Sequence, residues 1–191
     1  MKQQRASARP DRSGGWGASG RRGRAPVAGM AIVFREMLPS NRRLAFRRQP
    51  HLLDDTGSVG VWITQPAGMV VQLLRETVAT GEIARFISVD AYQKLVGVMR
   101  PGERAFFIYD MALMVRYESE ARVILTQWGL NVRDKIEHIV VRPPPEMNKL
   151  GRMGIQTIAA AMSLAGVQLD IVDDIEPFLR EQNLRPRISL T

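Results

Sequence analysis

The chain of 191 residues contains no cysteine and only two histidines, His51 and His138. Without cysteine there can be no disulfide bond, no thiolate metal site and no cysteine nucleophile. The two histidines are far apart in the sequence, and neither has another metal-binding residue at a spacing that zinc sites use. We therefore expect no metal ion and no cofactor.

Long apolar runs and catalytic motifs are missing too. No apolar run approaches the length of about 18 residues that a membrane-spanning helix needs. The sequence has no G-x-S-x-G motif of a serine nucleophile and no G-x-x-x-x-G-K phosphate-binding loop. These absences predict a non-enzymatic, cytoplasmic protein that has no catalytic residues and no membrane span.

Acidic residues are scarce at the beginning of the chain. Residues 1–50 contain twelve Lys and Arg and two acids, a net charge of +10, whereas residues 51–191 contain fifteen basic and seventeen acidic residues, a net charge of −2. The first segment is rich in Arg, Gly, Ser and Ala, so ordering its backbone would cost entropy with little apolar burial in return. We predict a disordered basic leader over residues 1–50, or an extension upstream of a true start at Met30 or later.

Two further interpretations of the leader remain open. Its arginines could bind the phosphates of a nucleic acid, or the segment could be a targeting peptide for an organelle. Secretion is not indicated, because the best apolar candidate ends directly at Arg35 and Glu36. We expect nucleic-acid binding, if it occurs, only through residues 1–50.

After Leu53 the pattern changes to that of a folded domain. The runs GVWITQ and AGMVVQLLRETVAT are separated by Pro66 and Gly68, which predicts a β-hairpin. A helix is predicted next, with Ser88 as its N-cap. Its apolar face repeats at helical spacing and consists of Tyr92, Leu95, Val96 and Met99.

The stretch RAFFIYD is a nearly unbroken apolar run that ends at Asp110, which is typical of a strand covered on both faces. A helix is predicted from about Ser119, because apolar residues repeat there at i, i+3, i+4 and i+7. The strands HIVVR, 138–142, and LDIV, 169–172, are each followed by a further helix.

The predicted order is therefore β-β-α-β-α-β-α-β-α. It indicates one layered α/β domain over residues 56–184, with a mixed sheet of four to five strands, helices mainly on one face, and a tail over residues 185–191.

This order, the strand that ends at Asp110, and a closing helix with Phe178 and Leu179 resemble the STAS and SpoIIAA-like family, whose type members are bacterial anti-sigma-factor antagonists. The resemblance implies a motif close to Asp-Ser-Ser-Gly at the start of the helix, with its second serine as phosphoacceptor. That motif falls on Glu118, Ser119, Glu120 and Ala121. Because Glu120 stands at the phosphoacceptor position, the usual phosphoswitch is not expected.

The candidate partner-binding or regulatory residues follow from this alignment and from their place near the carboxyl end of a strand. They are Asp110, Glu118, Ser119 and Glu120. The two glutamates are spaced i, i+2 and do not face one another, and the helix dipole alone favours acids there. We predict a regulatory or protein-interaction domain with a protein partner. The alternative is a small-molecule or lipid-binding module with its ligand between sheet and helices, and a second alternative is nucleic-acid binding through the leader.

Overall fold

The computed structural model describes residues 44–147 and 149–190. Most of the expected leader, residues 1–43, lies outside the described residues, as does Asn148. Nine strands occur in the described part of the chain: β1 (Leu52–Leu53), β2 (Val59–Gln65), β3 (Gly68–Leu73), β4 (Thr77–Ala79), β5 (Ala105–Asp110), β6 (Met114–Tyr117), β7 (Ile136–Arg142), β8 (Gln168–Ile171) and β9 (Arg185–Pro186).

Seven of these strands form a mixed sheet in the order β1-β2-β3-β5-β7-β8, with β9 also beside β2. The β2–β3 pair is the predicted hairpin, antiparallel with Val61 opposite Val71. Strands β3, β5, β7 and β8 are parallel, and β5 lies in the middle between β3 and β7. The apolar run that ends at Asp110 is therefore a central strand, as its composition predicts.

Four helices accompany the sheet in the described residues: α1 (81–96, made of Gly81–Arg85, the π-helical Phe86–Ala91 and Tyr92–Val96), α2 (Ser119–Asn131), α3 (Lys149–Leu164) and α4 (Glu176–Glu181). A short 3-10 helix, Arg133–Lys135, follows α2. The start predicted for α1 is wrong. Thr80 is the N-cap, and its hydroxyl accepts a hydrogen bond from the Ile83 N–H at 3.4 Å. Ser88 lies within the π-helical part, where its hydroxyl donates to the Arg85 carbonyl at 3.5 Å. The helix begins at Gly81, about three turns before the predicted apolar stripe starts at Tyr92.

The first three helices pack on one face of the sheet. Ile87 and Leu95 of α1 and Met162 of α3 are buried in the same cluster as the inward-facing strand residues, and Trp128 of α2 stacks edge-on against Phe107 with ring centroids 5.5 Å apart. The opposite face carries α4, whose Phe178 contacts Phe106. The predicted mixed α/β fold is confirmed. The predicted number of four to five strands is wrong, because the main sheet has seven: the short edge strands β1 and β9 both pair with β2 and lie outside the range expected to fold.

Both ends of the described chain contact the sheet. Phe46 packs edge-on against Trp62, and the Trp62 indole N–H donates to the Arg48 carbonyl at 2.9 Å. At the other end, β9 pairs with β2 within the segment expected to be a tail. The packed part of the chain thus extends beyond both ends of the range 56–184.

A second, two-stranded sheet was not predicted. Strands β4 and β6 pair in parallel beside the N-terminus of α2. They are three and four residues long, and β6 is largely exposed, so neither has the apolar alternation by which a strand is recognised in a sequence.

Candidate functional site

Asp110, the first of the predicted site residues, is buried at the carboxyl end of β5. Its carboxylate accepts a hydrogen bond from the Gln72 side-chain amide at 2.7 Å, and Arg142 Nη1 lies 3.6 Å from the same group. Side chains alternate along a strand, and the neighbouring Tyr109 faces the helices α1 to α3. Asp110 therefore points to the opposite face of the sheet.

The other three predicted residues lie together at the start of α2. Ser119 is exposed, and Glu118 pairs with Arg116 at 3.1 Å. Glu120 forms an ion pair with Arg85 of α1, and its carboxylate occupies the space that a Cβ at Gly81 would need. The structure thus groups Glu118, Ser119 and Glu120 on one surface and places the Asp110 side chain on the other face of the sheet.

A cavity of about 900 Å³ between the sheet and the helices α1, α2 and α3 was not predicted from the sequence. We call it the helix-side cavity. Its floor consists of inward-facing strand side chains, and its walls consist of side chains from the three helices. Representative lining residues are Leu73, Tyr109 and Val141 of the sheet, Ile83 of α1, Leu125 of α2 and Ile158 of α3.

The lining of the helix-side cavity is predominantly apolar and includes four methionines: Met111, Met114, Met147 and Met162. Methionine is unbranched and polarizable, so its side chain adapts to ligands of different shape. Strand β6 and the loop 143–147, which contains three consecutive prolines, form parts of the rim. The cavity therefore has an adaptable apolar interior.

Two tyrosines give the cavity polar groups. Burial raises the pKa of Tyr109 well above its usual range, and the neighbouring Tyr117 raises it further. Burial also raises the pKa of Tyr117 to about 12, although the positive charge of Arg122 opposes the shift. Both phenols are thus neutral near neutral pH, and each can donate one hydrogen bond.

Trp128 forms part of the wall contributed by α2. Its ring packs edge-on against Tyr92 and Phe107, with centroid distances of 5.4 and 5.5 Å. Its indole Nε1 is buried and has no hydrogen-bond partner among the described residues. Within the described structure, the indole is therefore held by ring packing and not by a polar contact.

Within the described ranges, no group of three or more His, Asp or Glu side chains lies close enough together to hold a metal ion. No helix in that part of the chain is long and apolar enough to cross a membrane. The arrangement that remains is a large apolar cavity with two neutral hydroxyls and charged side chains at its rim.

Comparison with known proteins gives no family assignment. No family model matches the chain, and no curated protein or solved structure matches it either. The resemblance to the STAS and SpoIIAA-like family therefore stays a prediction that depends on the order of elements and the residues around Asp110.

Proposed function

We propose that this chain is a non-enzymatic module that binds a small apolar molecule in the helix-side cavity. The observation that carries the proposal is the cavity itself, with its volume of about 900 Å³ and its mainly apolar lining. Ligand sites in proteins typically have volumes of about 300–1,000 Å³ and are lined by apolar side chains with a few polar groups. A ligand between sheet and helices is also what the small-molecule alternative from the sequence requires.

The energetics of an apolar cavity favour an apolar occupant. Water inside would find few hydrogen-bond partners along the lining. An empty space would deprive the lining side chains of dispersion contacts. Each CH₂ group that moves from water into such a cavity contributes about 0.8 kcal/mol, so a ligand with a modest hydrocarbon part has enough driving force for specific binding.

A regulatory, protein-binding role resembling that of the anti-sigma-factor antagonists is the second candidate. The observation in its favour is the surface formed by Glu118, Ser119 and Glu120, because Ser119 is exposed and Glu120 connects α2 to Arg85 of α1. Thr80 and Ala84 of the α1 region and Ala121 of α2 line the cavity next to this ion pair. A ligand that changed the α1–α2 contact would therefore also change the surface offered to a partner.

Binding of the uncharged apolar dye Nile red to the full chain tests the proposed function. We expect saturable binding of one dye per chain with an increase in fluorescence. Leu125→Trp fills the cavity from α2 and should abolish this binding. Val123→Trp is the matched control, because Val123 lies on the same helix, is 52% exposed and does not line the cavity.

Two outcomes of this titration would contradict the proposal. One is the absence of saturable binding to the wild-type chain. The other is equal binding by the Leu125→Trp and Val123→Trp variants, provided that both unfold as cooperatively as the wild type.

A further inference from the structure

We propose that the ligand of the helix-side cavity is a single-chain carboxylic acid, held with its carboxylate at Arg122 and Tyr117 and its alkyl chain inside the cavity. This inference rests on the proposed function, because it names the class of molecule that the same cavity binds. It depends on three features of the rim and the interior: a cation with no ion-pair partner among the described residues, a neutral hydrogen-bond donor near it, and a hydrocarbon-lined volume behind them.

Arg122 supplies the cation. It projects from the first turn of α2 and lines the cavity. Among the described residues no carboxylate lies within ion-pair distance of Arg122, whereas Arg116 on the same rim is paired with Glu118 at 3.1 Å. A guanidinium without a partner can bind a carboxylate through two parallel N–H···O hydrogen bonds. The rim of the cavity thus offers a bidentate site for a planar anion.

Tyr117 supplies the neutral donor. It precedes α2 in the chain, lines the cavity, and is near enough to Arg122 for the arginine charge to affect its ionisation. Its hydroxyl makes no hydrogen bond within the part of the chain that the structure describes. Because the phenol keeps its proton near neutral pH, it can donate to an oxygen of the same carboxylate.

The charges at the rim favour a monoanion over a phosphate. One guanidinium and one neutral hydroxyl balance a single negative charge, whereas a phosphate monoester carries nearly two. Glu146, in the loop before α3, also lines the rim and would repel a dianion more strongly. A carboxylate therefore fits this site better than a phosphate does.

The interior behind this rim fits an alkyl chain. Met114, Leu125 and Ile158 line the cavity together with other apolar side chains from the sheet and the three helices. Each CH₂ group added to the alkyl chain of the ligand should lower the dissociation constant about fourfold, because the transfer of one methylene from water into an apolar environment is favourable by that factor. The affinity should stop rising once the chain is longer than the cavity.

Displacement of Nile red from the full chain by laurate, dodecanol and dodecyl phosphate tests the inference. We expect Arg122→Gln to weaken laurate about 10-fold or more, as the loss of hydrogen bonds to a charged group does, and to leave dodecanol unchanged. Arg133→Gln is the matched control, because it removes the same charge from an exposed residue after α2 that does not line the cavity. The affinity of laurate for the Arg133→Gln variant should equal its affinity for the wild type.

The outcomes separate this inference from the proposed function. Suppose that dodecanol and Nile red bind, and that laurate binds the Arg122→Gln variant as tightly as the wild type. The proposed carboxylate site is then wrong, whereas the proposed binding of apolar ligands in the cavity is still supported. Equal losses for laurate and dodecanol also overturn it, as does tighter binding of dodecyl phosphate than of laurate. If none of the compounds binds the wild-type chain, the proposed function fails as well.

Discussion

Gln72 and Asp110 are register partners on the adjacent parallel strands β3 and β5, and the Gln72 side-chain amide donates to the Asp110 carboxylate at 2.7 Å. The side-chain oxygen of Gln72, Oε1, in turn accepts a hydrogen bond from the Ala45 backbone N–H at 3.0 Å. Both side chains are buried on the face of the sheet that carries α4. The strand-end aspartate therefore helps to join two strands and the segment before β1.

Asp110→Ala should destabilise the domain much more than Ser119→Ala. Removing the buried carboxylate leaves the Gln72 amide without this acceptor, and Arg142 without its neighbour, so we expect a loss of about 2–4 kcal/mol in the free energy of unfolding. Ser119 is exposed at the start of α2, and its replacement should cost no more than about 0.5 kcal/mol. Urea unfolding of both variants measures the difference, and equal losses would refute the structural role of Asp110.

Phe46→Ala should also destabilise the domain, although Phe46 belongs to the segment expected to be part of the leader. Its ring packs edge-on against the fully buried Trp62 at a centroid distance of 6.1 Å. We expect a loss of about 1–3 kcal/mol, less than for a fully buried phenylalanine. The control is Arg47→Ala, which changes an exposed neighbour. Identical melting temperatures for the two variants would show that the Phe46 ring does not contribute to stability.

Trp128→Ala and Trp128→Phe should differ, because Trp128 contributes ring contacts and no hydrogen bond in the described structure. Truncation to alanine removes the contacts with Tyr92 and Phe107, so we expect a loss of about 3 kcal/mol. Phenylalanine keeps much of the ring packing and removes an unsatisfied N–H, so its cost should stay below about 1.5 kcal/mol. A phenylalanine variant as unstable as the alanine variant would show that the indole N–H has a partner.

The pKa of Tyr117 predicts a loss of stability at alkaline pH. Its pKa is 10.0 before burial and about 12 in the folded chain, so between these values the folded state keeps a proton that the unfolded state has lost. The neutral Tyr117 phenol contributes at most about 2–3 kcal/mol to the free energy of unfolding. This contribution is complete below about pH 10 and is lost as the pH rises toward about 12. Unfolding by urea at pH 9 and 11 should show a smaller decrease for Tyr117→Phe than for the wild type. The same decrease in both chains would contradict the shifted pKa.

Much of the fold could be predicted from local patterns. The apolar run before Asp110 and the repeated apolar residues after Ser119 gave β5 and α2 close to their observed bounds. Short elements could not be predicted in this way. Strands β4 and β6 form by pairing with one another between distant parts of the chain, and the Thr80 N-cap of α1 is separated from the apolar stripe by the π-helical segment.

The candidate site was predictable only in part. The sequence placed Glu118, Ser119 and Glu120 at the start of a helix, and the structure agrees. Asp110 is close to these three residues in the sequence, but its side chain points to the face of the sheet that carries α4. The direction of the Asp110 side chain depends on the alternation of side chains along β5 and not on its distance in sequence from α2. The helix-side cavity has no sequence motif, since its lining comes from the helices α1, α2 and α3 and from most of the strands. The four methionines that line it resemble ordinary core residues until the helices are placed.

The most direct test of the account is a ¹³C-methyl NMR titration of the ten methionines of the full chain with dodecanol. Occupation of the helix-side cavity predicts large, saturable chemical-shift changes for the lining methyl groups of Met111, Met114, Met147 and Met162. The methyl groups of Met99 and Met153, which do not line the cavity, should hardly move. Shifts that are absent, or that are as large for Met99 and Met153 as for the lining methionines, would contradict ligand binding in the cavity.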